Sequence, residues 1–164
     1  MKWLVVDSSV LASLSGIGVL SLLPEMFFPI FLPEAVRLEV VDDGEGWLIA
    51  KEAQEQILDG SWLVTRECGF KEKVRFFRNR LDPGESEVIA LAKETKCVAA
   101  IDERKGRKVA EQEGVRVTGS VAILLLAKSR GLLKQIKPLV FQLVANGFRA
   151  SPALIEKILH DARE

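Results

Sequence analysis

The sequence predicts an α/β fold: a central parallel sheet of about four to five strands with helices over both faces, three layers in all. Three observations predict it. Short apolar runs alternate with longer helical stretches along the 164 residues. Two of those runs, residues 2–6 and 97–101, read as strands buried on both faces, and each leads directly into an acid, Asp7 or Asp102. Apolar residues make up 48% of the chain, enough for one full core, so a single domain over residues 1–164 is expected.

The elements follow in order. Residues 2–6 form the first strand. Asp7, Ser8 and Ser9 offer N-cap side chains to a helix over 10–14, which the Ser15-Gly16-Ile17-Gly18 stretch breaks. A short helix over 19–23 closes before Pro24. Residues 27–32 are extended, with Pro29 and Pro33 as punctuation, and Pro33 suits the first turn of a helix through about Val41. A loop at 42–46 leads to a helix over 47–58 that Asp59-Gly60 ends, and residues 62–65 make a strand. Residues 71–80 are helical, and Asp82-Pro83-Gly84 opens another helix to about Thr95. The strand at 97–101 precedes a helix over 103–113 stopped by Gly114, a short strand at 115–117, and an apolar helix over 121–129 that Ser120 can cap. Two further helices cover 137–146, with Pro138 in the first turn, and 152–163. No repeat, low-complexity tract or linker interrupts the series.

Composition narrows the function classes. No apolar run approaches the roughly 18 residues of a membrane span. The opening residues make a poor signal peptide, because Asp7 interrupts the apolar run at once, and a cytoplasmic protein is expected. Cys68 and Cys97 lie far from any Cys-x-x-Cys pair, which argues against a zinc or redox motif, and a structural disulfide is not expected in a reducing compartment. With 23 acids and 23 bases the chain is formally neutral, unlike most nucleic-acid binders. The bases are nevertheless clustered, at Lys71, Lys73, Arg75, Arg78 and Arg80 and again at Arg104, Lys105, Arg107 and Lys108. Either cluster reads equally as a solvated face. The sole histidine, His160, falls near the end of the last helix and reads as solvated, so catalysis would run without a histidine base.

Four acids look out of place. Asp7 and Asp102 fall at the carboxyl ends of parallel strands, where ligands of such sheets bind. At about 100° per residue, Glu39 lies between Ala35 and Val36 on its helix, and Glu85 lies between Ile89 and Ala92. Glu87 sits nearer the polar edge. An inward carboxylate is costly unless paired or bound to a cation. Four such acids meeting at the strand ends would suit Mg²⁺ or Mn²⁺, which can activate water for phosphodiester cleavage. Each acid also has a plainer reading. Asp7 and Asp102 could cap helices, Glu39 could be an ion-paired edge residue, and Glu85 could complement a helix dipole.

The motifs bear a family resemblance. Val5-Val6-Asp7-Ser8-Ser9-Val10-Leu11 resembles the opening of PIN domains, and Pro33-Glu34-Ala35-Val36-Arg37-Leu38-Glu39-Val40 resembles their second motif. Leu81-Asp82-Pro83-Gly84-Glu85-Ser86-Glu87-Val88-Ile89-Ala90-Leu91-Ala92 resembles the third, and Ile101-Asp102-Glu103-Arg104 the fourth, with Glu103 where a second aspartate is common. Gly114 to Val121 and Gly147-Phe148-Arg149 resemble one prokaryotic PIN subfamily described as predicted nucleic-acid-binding. The resemblance implies the PIN fold and a Mg²⁺- or Mn²⁺-dependent endoribonuclease, as in VapC-type toxins. Asp7, Glu39, Glu85 and Asp102 would be its catalytic and metal-binding residues, with Glu87 an alternative to Glu85. It also implies an RNA substrate, a homodimer and a small antitoxin protein partner. The rival reading is a non-catalytic scaffold that binds RNA or a protein. An aspartyl-phosphatase would want an aspartate where Ser9 stands, and a dinucleotide site would want Gly-x-Gly-x-x-Gly directly after the first strand, whereas Gly16 and Gly18 come a helix too late.

Overall fold

The computed structural model describes residues 2–41, 55, 59 and 62–164. Five parallel strands form one sheet: β1 (Lys2–Val6), β2 (Phe27–Pro33), β3 (Leu63–Arg66), β4 (Val98–Ala100) and β5 (Val117–Thr118), in the order β3-β2-β1-β4-β5. Helices flank it to give a three-layer α/β/α sandwich. They are α1 (Ser8–Gly16), α2 (Leu22–Met26), α3 (Glu34–Val41), α4 (Lys71–Arg78), α5 (Pro83–Thr95), α6 (Arg104–Gln112), α7 (Ser120–Ser129), α8 (Lys137–Ala145) and α9 (Pro152–Ala162). The helix expected over residues 47–58 and the loop before it lie almost wholly outside the described residues.

Burial on both faces explains the apolar strands. Leu4, Val5 and Val6 of β1 are fully buried, as are Ala99 and Ala100 of β4. The chain runs outward from β1 through β2 to β3, then returns to place β4 and β5 on the other side. The order therefore reverses between β1 and β4, and in such sheets ligands bind beyond the carboxyl ends of the strands at that point. Asp7 directly follows β1, and its N–H donates to Ala100 O at 3.1 Å, tying the two strand ends together.

Several expectations shift. The second helix is Leu22–Met26 rather than 19–23, and Pro24 lies inside its first turn, where the missing N–H has no partner to lose. Pro33 ends β2 and pairs in register with Arg66 instead of sitting in the first turn of α3, which spans Glu34–Val41. Pro29 does not interrupt β2. Between the pairs Lys2–Phe27 and Leu4–Ile30 the register slips by one residue, and this bulge accommodates a proline that has no N–H to give the ladder. The short strand expected at 115–117 is found at Val117–Thr118. Other local signals act as expected. Asp82 caps α5, accepting from Glu85 N at 2.7 Å, with Pro83 in the first turn. Gly114 follows α6 at φ +74°, a conformation that favours glycine.

Candidate active site

Asp7 and Glu85 are among the few charged groups inside this protein, at 4% and 5% exposure. Asp7 is the N-cap of α1, where it accepts from Ser9 N at 3.3 Å and from Ser9 Oγ. The capping reading therefore holds for this residue. Burial pushes its carboxyl up to about 6, helped by the negative charges of Asp82 and Glu39 and opposed by the Ser9 hydrogen bonds.

Glu85 sits in the first turn of α5. Burial pushes it up to about 7, and the charges of Asp82, Asp7 and Glu103 push the same way. Its Oε1 is buried and has no hydrogen-bond partner. Among the described residues, no lysine or arginine forms an ion pair with Asp7, Glu85 or Asp102.

Glu39 projects from α3, and its Oε2 accepts from Ser8 Oγ at 2.8 Å. Asp102 follows β4 and is held by three donors: Ser120 N at 2.8 Å, Ser120 Oγ at 2.6 Å and Ser13 Oγ at 3.1 Å. It does not cap the helix that follows it, since the N-cap of α6 is Glu103. It instead accepts from the first N–H of α7. Ser120 is correspondingly the first residue of α7 rather than its cap, and its hydroxyl binds Asp102.

Missing β-carbons make room for these carboxylates. A methyl on Gly84 would stand 2.5 Å from Glu39 Oε1, and one on Gly106 would overlap Glu85 Oε1 and lie 3.0 Å from its Cδ. One on Gly119 would lie 2.8 Å from Asp102 Oδ1 and 2.7 Å from Arg107 Nη1. The Arg107 guanidinium donates to Ile101 O at 2.9 Å and Thr118 O at 2.8 Å, fixing the ends of β4 and β5 beside Asp102. The glycines, Arg107, and the serines at 13 and 120 escape sequence reasoning as site residues. Nothing in a linear spacing marks the glycine of one helix as the neighbour of an acid on another.

A PIN-domain family model matches residues 3–164. The chain belongs to the PIN-domain family. Among curated proteins nothing matches it. PIN domains are generally nucleases and typically use divalent metal ions, so this chain carries a nuclease-type fold, with nucleic acid as the expected class of ligand.

Within this PIN domain the two candidates for the third acid differ in surroundings. Glu87 accepts from Ala35 N at 2.9 Å and pairs with Arg78 at 3.4 Å, so it joins α5 to the start of α3. Glu85 is the buried, under-satisfied one. Glu103 and His160 are exposed, and His160 has only Asp161 beside it, at 3.7 Å. Among the described residues, no group of three or more Asp, Glu, His or Cys side chains is gathered tightly enough to hold a metal ion. The donor chemistry still fits one. The acids are hard oxygen ligands, two of them are pushed up toward neutral pKa by burial and by neighbouring acids such as Asp82, and one buried oxygen lacks a partner. Both cysteines are buried free thiols. Among the described residues, no helix is long and apolar enough to cross a membrane.

Proposed function

We propose that this PIN domain, working as one domain over residues 1–164, is a cytoplasmic Mg²⁺- or Mn²⁺-dependent endoribonuclease, with Asp7, Glu39, Glu85 and Asp102 as its metal-holding set. The observation that carries the reading is Glu85 Oε1, a buried carboxylate oxygen without a hydrogen-bond partner, in the field of a second buried acid, Asp7. Two such carboxyls without basic partners are expensive in a fold unless a cation compensates them.

A bound Mg²⁺ or Mn²⁺ would supply positive charge and an acidified water for attack on an RNA phosphodiester. The chain's own groups set the stage. Ser9 orients Asp7, Ser8 orients Glu39, and Ser13 with Ser120 orients Asp102. Asp7 and Glu85 shed protons near neutral pH, which makes them available as ligands in that range. Hydrolysis is expected to leave a 5′-phosphate and a 3′-hydroxyl. On the motif resemblance, the enzyme acts as the toxin of a toxin–antitoxin pair, as a homodimer neutralised by a small antitoxin.

The test is Asp7→Asn. The variant should lose Mn²⁺-dependent cleavage of a broad RNA panel while its circular dichroism stays unchanged, and undiminished cleavage would defeat the reading. One observation favours a second reading, a non-catalytic scaffold binding RNA or protein: among the described residues, the carboxylates are not gathered into a cage. Calorimetric titration with Mn²⁺ separates the two, since the scaffold would show no tight binding.

A further inference from the structure

The two basic clusters have different surroundings. In the first, Lys71, Lys73 and Arg78 are engaged by Glu67, Glu113 and Glu87, while the exposed Arg75 and Arg80 do not line the cavity described next. In the second, Arg104 and Lys108 of α6 are exposed and, among the described residues, in no ion pair. Both line a cavity of about 760 Å³ that begins at Asp102 and runs between α6, α7 and α9. Arg149 and Lys157, also exposed and unpaired among the described residues, stand on the same cavity, against two acids of its rim, Glu111 and Asp161. Its floor is apolar: Val121 and Leu125 from α7, Leu154 and Ile158 from α9, and the half-buried ring of Phe148. Leu154 is 42% exposed, an aliphatic surface open to solvent in a cavity whose lining holds five bases and three acids.

A hollow of this size, lined by apolar side chains and by more bases than acids, suits a ligand with a flat apolar part and a negative link. An unpaired nucleotide has that form: a base that can be splayed out onto apolar side chains, and phosphates that lysine and arginine neutralise. Duplex nucleic acid keeps its bases stacked and could not reach such a floor. We propose that this cavity is a nucleotide-specificity pocket of the same active site. One unpaired RNA nucleotide next to the scissile bond lays its base on Leu125, Leu154 and Phe148, with its phosphates against Arg104, Lys108, Arg149 and Lys157. The inference rests on the ribonuclease reading for its substrate and on the continuity of the cavity with Asp102 for its place.

The test measures binding in the full-length Asp7→Asn chain, so that the probe survives, and cleavage separately in the unaltered chain with Mn²⁺. The probes are a fluorescent single-stranded RNA, the same strand with one abasic residue at each position in turn, and the matching duplex. Single-stranded RNA should bind well above duplex, and one abasic position should weaken binding about tenfold. Leu154→Asp should bind the intact and abasic strands alike. Arg149→Glu with Lys157→Glu should weaken all strands, and each phosphate deprived of its cation should flatten the slope of log affinity against log salt by about 0.7. All three substitutions are at exposed positions, so folding is not in question. Cleavage by the unaltered chain, with RNA affinity indifferent to every one of these changes, overturns this inference alone. Self-association that Leu154→Asp abolishes, with RNA binding untouched, assigns the cavity to a protein interface and also overturns it. A chain that neither binds nor cleaves RNA sinks the ribonuclease reading as well.

Discussion

Asp7 is at once a helix cap and a buried acid, and the two roles pull its proton in opposite directions. The Ser9 bonds favour the carboxylate, while burial and the neighbouring acids favour the neutral form, and burial wins. The folded chain therefore binds this proton, and that of Glu85, more tightly than the unfolded chain does. In metal-free buffer that contribution is complete below the ordinary values of 3.8 and 4.5, and it is lost as pH rises through about 6 and 7. Urea unfolding of Asp7→Asn beside the unaltered chain should show little difference near the low end. The variant should become the more stable by on the order of 2 kcal/mol at the high end. A difference that stays constant across that range would contradict it. Gly106 offers a second check. Alanine at an ordinary helix position gains about 1 kcal/mol over glycine. Here the new methyl would overlap the buried Glu85 carboxylate and stand 3.1 Å from the Cγ2 of the fully buried Ile101, so Gly106→Ala should cost about 1–3 kcal/mol of stability and lower cleavage at least tenfold by displacing the carboxylate.

At the scale of elements, α5 carries both glutamates of its motif, and they should separate by assay. Glu85→Gln should abolish cleavage with little loss of stability, because it removes a buried charge that has a partnerless oxygen. Glu87→Gln should cost about 1 kcal/mol through the weakened tie to Ala35 N, and it should leave cleavage within a few-fold. Parallel activity and melting measurements on the two proteins decide it. This pair also shows what was legible in the chain. The wheel position of Glu85 between Ile89 and Ala92 correctly implied burial, because a regular helix converts spacing into direction. The strands at 2–6 and 97–101 were legible for a similar reason: burial on both faces forces an unbroken apolar run. The start of α2 was not, because a proline tolerated in a first turn looks the same in sequence as one that closes a helix. The donors to Asp102 were hidden too. Ser13 and Ser120 reach it across 89 and 18 residues of chain, and a hydroxyl in an apolar helix advertises no partner.

For the whole molecule, the arrangement ties function to stability. If the acids close on an ion, Mn²⁺ should raise the melting temperature of the unaltered protein, by an amount equivalent to about 2.7 kcal/mol at a hundredfold excess over its dissociation constant. It should do nothing for Asp7→Asn or Glu85→Gln. A calorimetric scan in which all three proteins respond equally would place the ion elsewhere. Topology gives this coupling a physical basis, since Asp7 and Asp102 leave adjacent strands at the point where the strand order reverses.

The brevity of β5 has a consequence for assembly. This outermost strand is two residues long, Arg116 O and Thr118 O already bond inward to β4, and Arg107 takes up Thr118 O a second time. By the alternation of a parallel ladder, Val117 alone turns its peptide groups outward. An incoming strand would find almost nothing to zip onto, so this border resists fibril-like stacking of one copy on the next. Any twofold association made on this side has to be built from side chains of the helices.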